Sequence, residues 1–414
     1  MSKSKKYKNL NSTFGIGVLC IILLAIFNIS TIKKINPKIM FLNISKPVSD
    51  FQNISQEELQ NIDEKDNSMQ IKENGLKNEL FDIQQSSPKK FTNPDFPVDV
   101  VYTWVNGSDP AWIMKKDEAM KSHDLKIAKR AQAGRYIDIG ELKYSLRCVE
   151  KFLPWVHKIY ILTDNQFPCF LKKHQSKIEI ISHDKVISKE FLPTFNSNNI
   201  DFHLHLIPNL TEHFIYLNDD VFISRPLQKY NFFNEEGKPI LPVARFNWIN
   251  QRKSIEKMSL KHWVKNDMGS VQYNLITMHT VDVFEKKYNF SVNFKSRHGY
   301  IPLTISIMNS IWRDFNKDLK HLETHTFRSF QDIQLPTLLI QVGIGLNYTS
   351  ILHTSESVRY LVMTSQFTKN LKNFNSSEYD SFCLNSGEKT SDRMRIAAKN
   401  FLQESYPEKS SFEV

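Results

Sequence analysis

The stretch Tyr216-Leu217-Asn218-Asp219-Asp220-Val221 combines residue types and spacing suited to chemistry. Its two adjacent carboxylates follow His213-Phe214-Ile215-Tyr216-Leu217 and precede Val221-Phe222-Ile223. Short apolar runs rich in β-branched and aromatic residues suit buried strands. A charge at the end of such a run must be paired or bound to a metal. The motif therefore reads in two ways: a strand end gripping a divalent cation for a phosphate-bearing substrate, or an Asn-Asp-Asp turn without chemistry.

Other polar clusters compete with it. Asn106-Gly107-Ser108-Asp109-Pro110 closes the strand-like run Val98–Val105, and in open α/β sheets ligands bind outside the carboxyl ends of strands. His321 and His325 have the i, i+4 spacing of zinc proteases, but Glu323 falls at i+2, on the wrong face to act as base; a solvated helix face accounts for them better. His203 and His205 lie two apart and share no helix face, which makes packed, hydrogen-bonded roles the simpler reading for both; Asp201, ahead of them, is the more interesting group. The sequence has 12 glycines and no P-loop, G-x-S-x-G or G-x-G-x-x-G. Phosphates would have to be held by a cation and by arginine or lysine, with Arg135, Arg297 and Arg328 as candidates.

The elements that must position these groups alternate. Strands are expected at 98–105, 157–163, 177–182 and 213–217. Helices are expected at 115–133, from Leu142 to Leu153 before Pro154, at 201–208, 271–288, 304–312 and 332–342, and amphipathically at 392–405. Alternation with polar residues at strand C-termini predicts an α/β fold with a mainly parallel sheet and flanking helices.

Ahead of that unit, Phe14 to Phe27 is almost wholly apolar, and no charge occurs from Asn9 to Ile32. A helix over 14–32 would be about 28 Å long, enough for a bilayer core. Lysines flank it, and no small-residue cleavage site ends it, which predicts an uncleaved signal anchor with a short cytosolic tail, 1–13. Residues 33–96 read as a polar stem. Acceptor sequons at Asn43, Asn53, Asn106, Asn209, Asn289, Asn347 and Asn375 all lie beyond the apolar segment. Cys148, Cys169 and Cys383 form an odd set beyond it, allowing at most one internal disulfide. The net charge of +10 is scattered along the chain; nucleic-acid binding wants a gathered basic patch, so no nucleic-acid partner is expected.

Several stretches together resemble the Stealth family, which includes N-acetylglucosamine-1-phosphotransferase α/β subunits and capsular hexose-1-phosphate transferases. They are Asp99–Asp109, Arg135–Arg147, Leu192–Asn196, Tyr216–Val221, His298–Pro302, Phe327–Asp332, and Phe382–Asn385 with Glu404–Pro407. Together they cover residues 97–413. The resemblance implies a nucleotide-sugar-binding sheet and transfer of a sugar 1-phosphate, typically from UDP-N-acetylglucosamine, to a hydroxyl of a glycan or glycoprotein acceptor. Asp219 and Asp220 match the family's acidic pair, for Mg²⁺ or Mn²⁺. His298 matches a histidine suited to be general base, Arg328 an arginine suited to transferred phosphoryl oxygens, and Asp201 an acidic residue that is Glu in the animal enzyme. Asp99, Asn106, Asp109, Arg135, Asn218 and Asp332, within or beside the matching blocks, are expected to bind substrate. The family's His-x-Pro is here His298-Gly299-Tyr300-Ile301-Pro302. A Golgi or other secretory-pathway type II enzyme with a lumenal catalytic domain is expected, with a second copy of the chain among its partners. The rival readings are a metal-dependent glycosyltransferase and a non-catalytic, membrane-tethered carbohydrate-binding protein.

Overall fold

The computed structural model describes residues 93–122, 136–256, 268–353, 357–387 and 390–414, all in the unit Asn93–Val414. Its strands are β1 (Val98–Thr103), β2 (Ile159–Thr163), β3 (Ile178–Ser182), β4 (His213–Asn218), β5 (Val221–Ile223), β6 (Ile240–Arg245), β7 (Phe294–Ser296), β8 (Ile301–Thr304), β9 (Ser350–His353), β10 (Val358–Val362) and β11 (Ser381–Asn385).

The main sheet runs β3-β2-β1-β4-β8. β1 pairs parallel with β2 and β4, β2 pairs parallel with β3, and only β4–β8 is antiparallel. β1 and β2 are buried along almost their whole length, because a parallel sheet covered on both faces needs continuous apolar runs rather than alternation. The mainly parallel α/β sheet expected from the sequence is therefore present. Two three-stranded sheets, β10-β11-β5 and β7-β6-β9, complete the unit.

Helix α1 (Pro110–Ser122) starts a turn earlier than its basic composition suggested. Pro110 suits a first helical position, and Asp109 Oδ1 accepts from the amide of Ala111 at 2.9 Å. Residues 123–135 lie outside the described residues. Helix α2 (Glu141–Phe152) buries Leu142, Leu146 and Val149 on one face, with Ser145 and Cys148 beside them. Ser145 Oγ donates to the carbonyl of Val221 at 2.5 Å and lies 2.8 Å from Tyr102 Oη, tying α2 to β1 and β5. The helix expected over 201–208 is instead α3 (Ser197–Asp201) followed by a tight turn at Leu204–Leu206. Asn196 accepts from the amide of Asn198 and so starts the helix earlier.

The segment 14–32, on which the membrane anchor is expected, and the stem up to residue 92 lie outside the described residues. Among the described residues no helix is long and apolar enough to cross a membrane. Cys148, Cys169 and Cys383 are free thiols, and Cys148 and Cys383 are buried.

Candidate active site

β1 and β4 end together, with Thr103 opposite Asn218, so their last side chains meet at the carboxyl edge of the sheet. Tyr216 Oη is the hub there. It lies 2.7 Å from Asp201 Oδ1, 2.7 Å from Asn218 Oδ1 and 3.0 Å from Thr103 Oγ1. Asp201, at the end of α3, is buried. Burial pushes its carboxyl up to about 6, against the opposing pull of the Tyr216 hydroxyl and the Arg328 charge.

Asp219 and Asp220 form the turn between β4 and β5, half-buried. Burial, then the neighbouring Asp220 and Asp138, raise the Asp219 carboxyl well above the usual range. Burial also pushes Asp220 up to about 6, opposed by a hydrogen bond from Cys383. Glu141, buried in the first turn of α2, is raised by burial and by the charges of Asp219 and Asp138. Asp138 itself is fixed by the indole of Trp104 at 3.2 Å and the amide of Gly140 at 2.6 Å. Burial, and for Asp219 the nearby charges of Asp220 and Asp138 as well, makes the acidic pair costly to ionise. Among the described residues no group of three or more His, Cys, Asp or Glu is placed to hold a metal; two adjacent carboxylates match the magnesium-type pattern, in which one or two carboxylates bind the cation together with substrate phosphates.

His298 lies between β7 and β8. Its ring stacks on Tyr360 (4.5 Å between centroids, 19° between planes) and lies 5.7 Å from Tyr273. Burial, and then the charges of Arg328 and Lys295, lower its pKa to about 4, so the ring is neutral at pH 7. The Arg328 guanidinium donates to Ser197 Oγ at the start of α3, and its carbonyl accepts from Gln272 Nε2 at 2.8 Å. Arg328 acts on both Asp201 and His298 and so bridges the two halves of the site. A second link runs through the small sheet. Tyr360 and Val221 both pair with Cys383, which puts them two strand spacings, about 10 Å, apart.

The expected residues divide accordingly. Asp201, Asn218, Asp219 and Asp220 gather at the end of β4, and Arg328 and His298 join them through the links just described. Asn106 and Asp109 close the β1 loop on themselves: Asn106 Oδ1 accepts from the amide of Ser108, and Asp109 Oδ2 accepts from Gln166 Nε2 at 3.0 Å. Asp99 is at the opposite end of β1, fully buried, held by His157 at 2.9 Å and by the amide of Thr211 at 2.8 Å. Asp332 is also fully buried; it accepts from Asn196 and Asn198 at 2.9 and 3.1 Å and pairs with His325 at 2.7 Å. Arg135 lies outside the described residues. Sequence reasoning missed Tyr216 as the hub, Asp138 and Glu141 as crowding charges, and Ser197, Tyr360 and Cys383. An acid directly ahead of α2 and one in its first turn were the available signals for Asp138 and Glu141.

Two family models match this sequence. One is described as Stealth protein CR1, conserved region 1, over residues 96–124, and the other as Stealth protein CR2, conserved region 2, over residues 135–241. The capsular polysaccharide phosphotransferase fcs1 of Haemophilus influenzae is 35% identical over 318 residues, which is 75% of this chain and 83% of that protein. The capsular polysaccharide phosphotransferase LcbA of Aeromonas hydrophila is 39% identical over 250 residues, 60% of this chain and 66% of that protein. Its namesake in Neisseria meningitidis is 34% identical over 296 residues, 70% of this chain and 77% of that protein. Among solved structures, a galactosyltransferase LgtC in complex with donor and acceptor sugar analogs aligns with a TM-score of 0.37 at 11% identity, over 76% of this chain and 98% of that one. That likeness is too loose to carry an argument. The expected Golgi type II placement is overturned, because these relatives are capsule enzymes of bacteria, which have no such compartment. The glycosylation reading of the sequons, which rested on a lumenal domain, goes with it.

Proposed function

The chain belongs to the Stealth family, and on that premise we propose that it transfers N-acetylglucosamine 1-phosphate from UDP-N-acetylglucosamine to a hydroxyl of a glycan acceptor. What supports this reading is that the charge of Arg328 reaches both Asp201, at the end of α3 and hydrogen-bonded to Tyr216 of β4, and the neutral His298, while Asp219 and Asp220 follow β4 directly. Asp219 and Asp220 would hold Mg²⁺ or Mn²⁺, which when bound neutralises charge on the donor diphosphate.

The residues then divide the work. Arg328, oriented by Ser197, presents planar donors to the oxygens of the transferred phosphoryl group. The acceptor oxygen attacks the β-phosphorus, and its proton passes to a ring nitrogen of His298. The bond from β-phosphorus to the bridging oxygen breaks, its electron pair leaves with UMP, and the donor's C1–O bond stays intact. A free-state value of about 4 makes His298 a weak base; the charge of a bound diphosphate would lift it towards the operating pH, where general-base catalysis is most effective. Asp332 acts indirectly, by holding Asn196 and Asn198 beside Ser197.

The test is a donor labelled on both the β-phosphate and the sugar. Both labels should reach the acceptor with release of UMP. Arrival of the sugar label alone, with UDP released, would make the protein a glycosyltransferase. Ligand binding without nucleotide release under any divalent cation would make it a non-catalytic binder.

A further inference from the structure

A cavity of about 710 Å³ opens between α1, the Glu190–Pro193 segment and residues 323–326. Small-ligand sites typically occupy about 300–1,000 Å³. The chain links the cavity's lining to the reaction centre. Thr326 lines the cavity, and Arg328 follows two residues later in the chain. Pro193 lines it too, and Ser197, the partner of Arg328, follows four residues on. The partition is Phe195 stacked on Phe327, 5.2 Å between centroids and 14° between planes, with the Phe195 amide donating to the Thr326 carbonyl at 2.8 Å.

The lining shows what would fit. Lys115 is committed to Asp164 at 2.7 Å. Glu323, 4% exposed, is engaged by His203 at 3.1 Å and Lys320 at 2.7 Å. The exposed side chains of Glu118 and Glu190 make no hydrogen bond or ion pair with another described residue, and ionised carboxylates only accept. Phe191, Leu192 and Pro193 add an apolar wall. Among the described residues the lining sets acceptor groups without a spare cation beside an apolar face, which suits a neutral ligand rich in hydroxyl donors.

We propose that this cavity holds the inner sugars of a neutral oligosaccharide acceptor, so that its terminal hydroxyl reaches past Phe195 and Phe327 to Arg328 and His298. The proposal rests on the phosphotransfer reading above. It requires longer acceptors to be better acceptors.

The experiment measures transfer from UDP-N-acetylglucosamine with Mn²⁺ to a panel of neutral mono- and tetrasaccharides, following UMP release and acceptor labelling together. The wild type should favour tetrasaccharides in kcat/KM by about 100-fold. The double variant E118Q/E190Q, at exposed positions, should cut that preference about tenfold through the acceptor KM, each charged hydrogen bond weakened to a neutral one costing about threefold there. F191A, which removes the apolar wall, should act in the same direction. Equal use of mono- and tetrasaccharides, a preference unchanged in both variants, or UMP release to water alone would overturn the cavity's role and leave phosphotransfer standing. No UMP release with any acceptor would overturn both.

Discussion

The thiol of Cys383 donates to Oδ2 of Asp220 across 3.3 Å, joining β11 to the acidic pair from 163 residues away. Burial and the Asp220 charge raise the Cys383 pKa well above its usual value, so the thiol keeps its proton and remains a donor. The hydrogen bond favours the ionised form of Asp220 against burial, which holds that carboxyl at about 6. If ionised Asp220 is needed for turnover, activity at limiting cation rises as pH increases through that region. Replacing Cys383 with alanine should move this acid limb to higher pH, and replacement with serine, which keeps a donor, should largely hold it. Profiles of kcat/KM from pH 5 to 8 check this. An alanine variant with an unmoved limb would disconnect the thiol from the chemistry.

The same carboxylates predict a cation-linked stability. Asp219 and Asp220 have folded pKa values above the ordinary value near 4. Their contribution is therefore most favourable when both are protonated and declines as pH rises; for Asp220 the decline is complete a little above pH 6. A divalent cation binds the ionised pair and competes with protons. Adding millimolar Mn²⁺ should raise the melting temperature by several degrees at pH 7.5 and by little at pH 4.5. D219N, which relieves the crowding, should melt higher than the wild type without cation and gain little from Mn²⁺. Equal shifts at the two pH values would mean that the cation binds elsewhere.

Alanine at Asp220, His298 or Arg328 should each remove turnover by about 10²-fold or more while leaving the protein folded. Arg328→Lys should fail nearly as badly, because an ammonium cannot present the planar fork. Asp332→Ala should behave differently. Its carboxylate is fully buried and serves Asn196, Asn198 and His325, so its loss should cost about 3 kcal/mol of stability. Melting temperatures measured beside kcat separate the two classes. Wild-type rates in any of the first three would remove that residue from the mechanism.

The central sheet was legible because β1, β2, β3 and β4 are short apolar runs whose partners alternate with helices along the chain. The acidic pair was legible because two carboxylates end one of those runs. β6 to β11 were not. They are three to six residues long, β6 and β8 carry Pro242 and Pro302, and none repeats the strand–helix alternation of β1 to β4: β11 pairs with β5, and β6 with β9. For the same reason Cys383 and Tyr360 were invisible as members of the site, and Asp99 looked functional although it lies at the wrong end of its strand. A motif match identifies a residue without saying which end of a strand faces the ligand. The partners of Asp332, Asn196 and Asn198, are likewise more than 130 residues away.

The departure from the family's His-x-Pro has a local explanation, and it can be tested. A methyl group at Gly299 would lie 2.7 Å from Val358 Cγ1 and 3.0 Å from Ser381 Oγ, so the chain passes hard against β10 and β11 just after His298. It cannot move away freely. Tyr300 is fully buried, edge-on to Phe232 at 4.9 Å, and Pro302 is in register with Ile215 of β4. Strain at Gly299→Ala should therefore be relieved on the other side, by pulling His298 off its stack on Tyr360. Misplacing a proton acceptor by about 1 Å costs roughly 10²-fold. The variant should lose kcat on that scale and keep the donor KM within about twofold, since Asp219, Asp220 and Arg328 are set by other segments, and its melting temperature should fall by a few degrees. A kcat near wild type in a variant with the lowered melting temperature would show that strain at Gly299 reaches the fold but not the reacting groups.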